Sequence, residues 1–228
     1  GSFTVNSYTL TYMIDGEVYK EYTYEYGAKV TPEPEPTKTG STFSGWTGLV
    51  ETMPAHNVVV NGSFTVKSFT ITWVADGATF KEEKVPFGAP ISIPEDSPVK
   101  EGYTFIGWED HPATMPANDL IIFAQFIINS YKLTYVVDNK VYKEYTYLYG
   151  ATVTPEAEPV KEGHTFSGWD GLVDTMPAHD VTVTGSFSVN SYTLTWTADG
   201  KTFKEETIAY GATITEPTEV PAKEGYSF

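Results

Sequence analysis

Cysteine is absent from the 228 residues, which removes disulfides, thiolate metal ligands and thiol nucleophiles together. Cations are scarce: 14 Lys plus Arg stand against 30 Asp plus Glu, a formal charge of −16. Such a surface repels phosphate backbones and anionic lipid, so nucleic acid and membrane surfaces are not expected partners. No apolar run approaches the ~20 residues of a membrane-spanning helix, and no basic-then-apolar leader opens the chain, so membrane insertion is not expected either. Also missing are a Gly-x-Ser-x-Gly elbow, a phosphate-cradling loop and a dinucleotide fingerprint. With these gone, no enzyme and no cofactor is expected.

What the chain does have is repetition. Asn6-Ser-Tyr-Thr-Leu returns as Lys67-Ser-Phe-Thr-Ile, Asn129-Ser-Tyr-Lys-Leu and Asn190-Ser-Tyr-Thr-Leu, at spacings of 61, 62 and 61 residues. An internal period fixes the architecture before any local reading. It divides the chain into 7–66, 67–128, 129–189 and a truncated 190–228, with 1–6 as the tail of a preceding repeat. Gly1-Ser-Phe-Thr-Val5 matches Gly62-Ser-Phe-Thr-Val66, and Glu224-Gly-Tyr-Ser-Phe228 matches Glu101-Gly-Tyr-Thr-Phe105, so the chain is expected to begin and end inside a repeat. A unit of about 60 residues buries only about 60% of its unfolded surface and needs a dense core. Aromatic residues, 15% of the chain, supply it.

Within a repeat, Tyr8, Leu10 and Tyr12 alternate with threonines, the period of a half-buried strand. Asp15-Gly16 then signals a tight hairpin, and Asp76-Gly77, Asp138-Asn139 and Asp199-Gly200 repeat the signal. The returning strand halts at Gly27. Tyr26, Phe87, Tyr149 and Tyr210 are equivalent and always aromatic, so they are expected in the core. The prolines of Thr31-Pro-Glu-Pro-Glu-Pro36 predict an extended crossover with at most one short helical turn. Phe43, Phe105 and Phe166 follow on a strand, and Trp46, Trp108 and Trp169, each after a glycine, are expected to cover the core. Val58 to Val66 supplies the last strand.

The order is hairpin, crossover, strand, last strand, in which the first and last strands can pair at the sheet centre. A Tyr-Thr-Leu-Thr opening, a Tyr-Gly-Ala turn, Lys-x-Gly-x-Thr-Phe-x-Gly-Trp and Met-Pro-Ala-x-(Asn/Asp) together resemble the B-repeat of internalin-type bacterial surface proteins, also called the Listeria-Bacteroides repeat. Glu101 to Trp108 with Met115 to Asp119 is the clearest copy. The resemblance implies a mainly β fold bordering on α+β. It further implies small β-grasp-like domains in tandem arrays on secreted or wall-anchored proteins, and no catalysis. Thr39-Gly-Ser41 departs from the usual Glu-Gly-Tyr.

Candidate sites are few. His56 and His179 follow Met-Pro-Ala without a second ligand at metal-site spacing, so no metal is expected. The carboxylate pairs Glu33 with Glu35, Glu156 with Glu158 and Glu95 with Asp96 lie in Pro-rich segments and read as solvated loops. Lys20-Glu21 and its three equivalents invite a Lys-Asn isopeptide hypothesis, but a charged strand edge explains them more simply. A longer period of 123 residues pairs alternate repeats: Tyr22 and Tyr145 stand where the others carry Glu83 and Glu206. Tyr22 and Tyr145 are therefore the binding candidates, expected to face solvent, with cross-strand packing as the alternative.

The expected role is an extracellular stalk or spacer at the bacterial cell surface or wall, built as a rod on the order of 100 Å from units of roughly 25 Å. The rivals are a weak multivalent binder of host glycan or protein, and a filament formed by head-to-tail self-association.

Overall fold

The computed structural model describes Gly1–Phe228 and contains strands, turns and extended segments but no helix. The chain forms two compact units, Gly1–Val99 with Phe105–Phe126 and Lys100–Thr104 with Ile127–Phe228. The first repeat holds β1 (Ser7–Ile14), β2 (Glu17–Glu25), β3 (Ser41–Phe43), β4 (Val58–Gly62) and β5 (Phe64–Val66). The second holds β6 (Ser68–Ala75), β7 (Ala78–Pro86), β8 (Tyr103–Trp108) and β9 (Leu120–Ile128). The third holds β10 (Ser130–Val137), β11 (Lys140–Leu148), β12 (His164–Phe166), β13 (Val181–Gly185) and β14 (Phe187–Val189). β15 (Ser191–Ala198) and β16 (Lys201–Ala209) form the last hairpin.

Each hairpin turns on the predicted residues. Asp15 and Gly16 take φ of 52° and 87°, and Asp138 and Asn139 take 49° and 61°, the left-handed pair that a tight hairpin turn demands. The expected central pairing is present: β1 lies antiparallel to β2 and parallel to β4, giving the order β2-β1-β4. The third repeat copies it as β11-β10-β13, and the second extends it to β7-β6-β9-β8. The crossover from β2 to β4 carries no helical turn, because its prolines lack the donor and block the geometry a helix needs.

The second repeat differs for a local reason. In the first, Ser63 N donates to Ser44 Oγ at 2.9 Å, and Ser186 N donates to Ser167 Oγ at 3.0 Å in the third. These side chains intercept the backbone where the ladder would continue, so the last strand breaks into two. Ile106 and Gln125 occupy the corresponding places, and β9 runs unbroken.

Two three-residue motifs pair with each other. Gly27 N donates to Met53 O and Met53 N to Ala28 O, both at 2.9 Å, so the Tyr-Gly-Ala turn clasps the Met-Pro-Ala segment. Gly88 with Met115 and Gly150 with Met176 repeat the clasp. It drives the methionine inward: Met53, Met115 and Met176 are each 1% exposed. Around Met53 gather Leu10, Tyr12, Val30, Val58 and Val60, and around Met176 gather Leu133, Tyr135, Val153, Val181 and Val183. Ile71, Trp73 and Ile122 surround Met115.

The expected aromatic core needs correction. Trp46, Trp108 and Trp169 are half-buried covers over these clusters, with Phe43, Phe105 and Phe166 edge-on beside them at 4.9 to 5.5 Å. Tyr26 and Tyr210 are exposed, each just past the end of its strand, β2 or β16. Phe87, Tyr149 and Tyr210 instead lie on a glycine of the preceding repeat: a Cβ built on Gly40, Gly102 or Gly163 would come within 2.1 Å of the ring. These glycines also hold φ near 70°, so they are required twice over. Tyr26 has no such ring-on-glycine contact.

Met53→Ala should cost about 2–4 kcal/mol by deleting a fully enclosed side chain, whereas Met53→Leu should cost under ~1.5 kcal/mol. Urea denaturation of the full chain, followed by the midpoint of the affected phase, checks both.

Candidate functional site

The residues singled out by alternation meet at one place in each odd repeat. Tyr22 lies on β2 opposite Leu10, and its hydroxyl donates to Glu33 Oε2 at 2.5 Å. Lys20, two residues earlier on the same strand, pairs with Glu33 Oε1. The backbone of Glu33 is held as firmly as its carboxylate. Its N–H donates to Tyr12 Oη at 3.1 Å, and its carbonyl accepts from Trp46 Nε1 at 2.9 Å. Tyr12 and Trp46 themselves meet edge to face at 4.8 Å. Glu33 therefore ties the Pro-rich crossover to the hairpin and to the tryptophan cover.

The third repeat reproduces every contact. Tyr145 Oη donates to Glu156 Oε2 at 2.5 Å and Lys143 Nζ lies 2.6 Å from Oε1. Glu156 N donates to Tyr135 Oη at 3.2 Å, and Trp169 Nε1 donates to Glu156 O at 2.9 Å.

Even repeats solve the same problem with different residues. Trp73 replaces Tyr12, Glu83 replaces Tyr22 and Pro94 replaces Glu33; Trp196, Glu206 and Pro217 do so in the last repeat. The carboxylate has moved from crossover to strand. There it accepts the indole N–H directly, Trp73 Nε1 to Glu83 Oε1 at 3.3 Å and Trp196 Nε1 to Glu206 Oε1 at 2.7 Å. Lys81 and Lys204 stay beside it, at 3.1 and 3.6 Å. Proline fits the crossover because the indole, a donor only, offers no acceptor for a backbone N–H there as the Tyr12 hydroxyl does.

Charge follows from these contacts. Lys20 and then Tyr22 hold the Glu33 carboxyl below its ordinary range, as Lys143 and Tyr145 do for Glu156. Hydrogen bonding to the same carboxylates pushes Lys20, Lys143, Tyr22 and Tyr145 upward. Each group is thereby stabilised in the protonation state it has at neutral pH.

Tyr22 and Tyr145 are each 37% exposed, with the hydroxyl committed to a carboxylate. Glu33 and Glu156 are not the freely solvated loop acids expected of them. Only a column-by-column comparison of positions 12, 22 and 33 across the repeats carries the signal, because the three positions change together. Glu35 and Glu158 take no part in the network; His56 and His179 lie exposed in loops. Lys20 finds a carboxylate partner, not an asparagine.

A second missed group is the acid or amide closing the Met-Pro-Ala motif. Asn57 Oδ1 accepts from Thr9 N at 2.9 Å, Asp119 Oδ1 from Thr70 N at 2.7 Å and Asp180 Oδ1 from Lys132 N at 2.8 Å. Each satisfies a backbone donor at the start of the parallel ladder.

The clasp, the ring-bearing glycine and this cap recur along the chain, and the model of the Listeria-Bacteroides repeat domain matches residues 8–66, 69–125, 131–184 and 192–228. The chain belongs to the Listeria-Bacteroides repeat family. Among its relatives, Internalin H of Listeria monocytogenes is 33% identical over 54% of this chain and 26% of its own length. Two Evansella cellulosilytica proteins, named "Putative membrane protein" and "Putative Gly-rich membrane protein", are 24% and 26% identical over 98% of this chain. The chain spans only 39% and 29% of those two relatives. Repeats of this family thus occur within longer proteins, one of them an internalin.

Tyr22→Glu alone sets a second carboxylate against Glu33 and should lower the melting temperature. Adding Tyr12→Trp and Glu33→Pro rebuilds the even-repeat arrangement and should recover most of the loss, a non-additivity read directly from thermal melts. The pH response has a defined sign. Because the folded-state values of Glu33 and Glu156 are lowered, their contribution is complete above the ordinary glutamate value of 4.5 and is lost as pH falls through the folded values. On the alkaline side, the raised Lys and Tyr values make it complete below their ordinary range and lost as pH rises through the raised ones. The stability gap between the wild type and Glu33→Gln/Glu156→Gln should be widest near neutrality and close toward acid.

Proposed function

We propose that this chain is a non-catalytic stalk segment of a bacterial cell-surface protein, lying outside the cell and holding other parts of that protein at a distance. The observation that carries the reading is the absence of slack between repeats. One residue, Lys67, separates β5 from β6, and one, Asn190, separates β14 from β15. Each is itself held. Lys67 N donates to Gly40 O and Phe87 N donates to Lys67 O, both at 2.8 Å, while the Phe87 ring lies on Gly40. Asn190 is tied in the same way between Gly163 and Tyr210. A spacer depends on joints of this kind, because slack between units would let its reach shrink toward that of a flexible chain.

On this reading the modules are β-grasp-like domains bounded at 7–66, 67–128, 129–189 and from 190 onward. The occurrence of the repeat in Internalin H and in proteins named as membrane proteins supports a surface location. Near-copies that alternate between two structural networks, with no unlike constellation of acid, base and nucleophile, support a role without catalysis.

Small-angle X-ray scattering tests the proposal. The maximum dimension should be on the order of 100 Å and should grow by roughly 25 Å with each repeat added. A compact globule whose dimension does not scale with repeat number would overturn it.

A further inference from the structure

We infer that each of the first three repeats, which carry a parallel ladder, is built to resist tension applied along the chain; this deepens the stalk reading and rests on it. The chain enters a repeat at the start of its first strand and leaves at the far end of its last. In the first repeat the first strand is β1 and the last is the one broken into β4 and β5, of which β4 pairs with β1 in parallel from Leu10↔Val58 to Ile14↔Gly62. Tension applied at Ser7 and Lys67 therefore slides one strand along the other. Every bond of the ladder is strained at once, and none can be lost without moving the rest.

Both ends of this ladder carry an extra tie. At the entry end, Thr9 N donates to Asn57 Oδ1 at 2.9 Å. At the exit end, Asp15 N donates to Gly62 O at 3.1 Å and Phe64 N donates to Asp15 Oδ1 at 2.9 Å. The hairpin turn is thus fastened to the departing strand. The third repeat has the same three ties through Asp180, Gly185 and Asp138. Beneath the ladder, Leu10, Tyr12 and Val60 are fully enclosed, so sliding also exposes the core to water.

The direction of force is the discriminating variable. Tension at Ser7 and His56 acts on the start of both strands and opens the same ladder one bond at a time. Because the chain has no cysteine, handles can be placed at will. Optical-tweezer unfolding of the full chain carrying Ser7→Cys/Lys67→Cys is compared with Ser7→Cys/His56→Cys, all at exposed positions. Circular dichroism and thermal melts confirm that both variants fold as the wild type does. The first geometry should unfold in one step releasing roughly 190 Å, at a force at least about twofold above the second. Adding Asn57→Ala should lower the first force and leave the second nearly unchanged.

Equal forces along the two axes, or a weaker response along the chain, overturn the inference while leaving the stalk reading to scattering. A globule in scattering with strong directional resistance contradicts the stalk and leaves the ladder's mechanics standing.

Discussion

Parallel pairing of the first and last strands is the constraint on which the rest depends. It brings together residues almost fifty positions apart, Leu10 beside Val58 and Tyr12 beside Val60, before the repeat has a core. Closing so long a loop costs entropy that local contacts do not return, and a parallel connection must also cross over the sheet. In larger parallel folds a helix covers that crossing. Here a Pro-rich extended segment does so, and it brings no helical hydrogen bonds of its own. The polar contacts of the crossover must therefore come from side chains and from the neighbouring turn.

That requirement explains the placement of the recurrent chemistry within the chain. The Met-Pro-Ala clasp returns the backbone to the Tyr-Gly-Ala turn and seats a methionine in the core. The amide or acid that follows satisfies the first donor of the ladder. Odd repeats anchor the crossover through Glu33 or Glu156; even repeats free it with proline and place the acid on the hairpin. The 123-residue alternation first invites a reading as alternating binding surfaces. In the structure the alternation also marks two solutions to one packing problem, each satisfying a tryptophan N–H and a lysine beside a carboxylate.

Much of this fold was legible because it depends on short-range signals. Alternation of Tyr8, Leu10 and Tyr12 marked a half-buried strand, and Asp-Gly and Asp-Asn marked turns whose φ signs leave few other choices. The repeat period located the units. The inward-facing set was harder. Tyr26, Phe87, Tyr149 and Tyr210 are aromatic in every copy, which looks like a core signature, yet a surface that must meet the preceding repeat is under the same demand for a ring. A single repeat contains no trace of that contact, since its glycine lies tens of residues away in another copy. Glu33 was illegible for a related reason. Its carboxylate meets Lys20 and Tyr22 only through the crossover's return, and Pro-Glu-Pro-Glu-Pro reads locally as a charged loop.

Native-state hydrogen exchange measures the central constraint most directly, because it ranks amides by the free energy needed to open them. If the parallel ladder is what closes each repeat, its amides in Leu10–Ile14 and Val58–Gly62, with those in Leu133–Val137 and Val181–Gly185, should be the last to exchange. They should do so together with Met53 and Met176, whose N–H groups belong to the clasp. Persistence of the β1–β2 hairpin amides after the β4 amides have exchanged would show that the hairpin stands alone and that the parallel pairing is secondary.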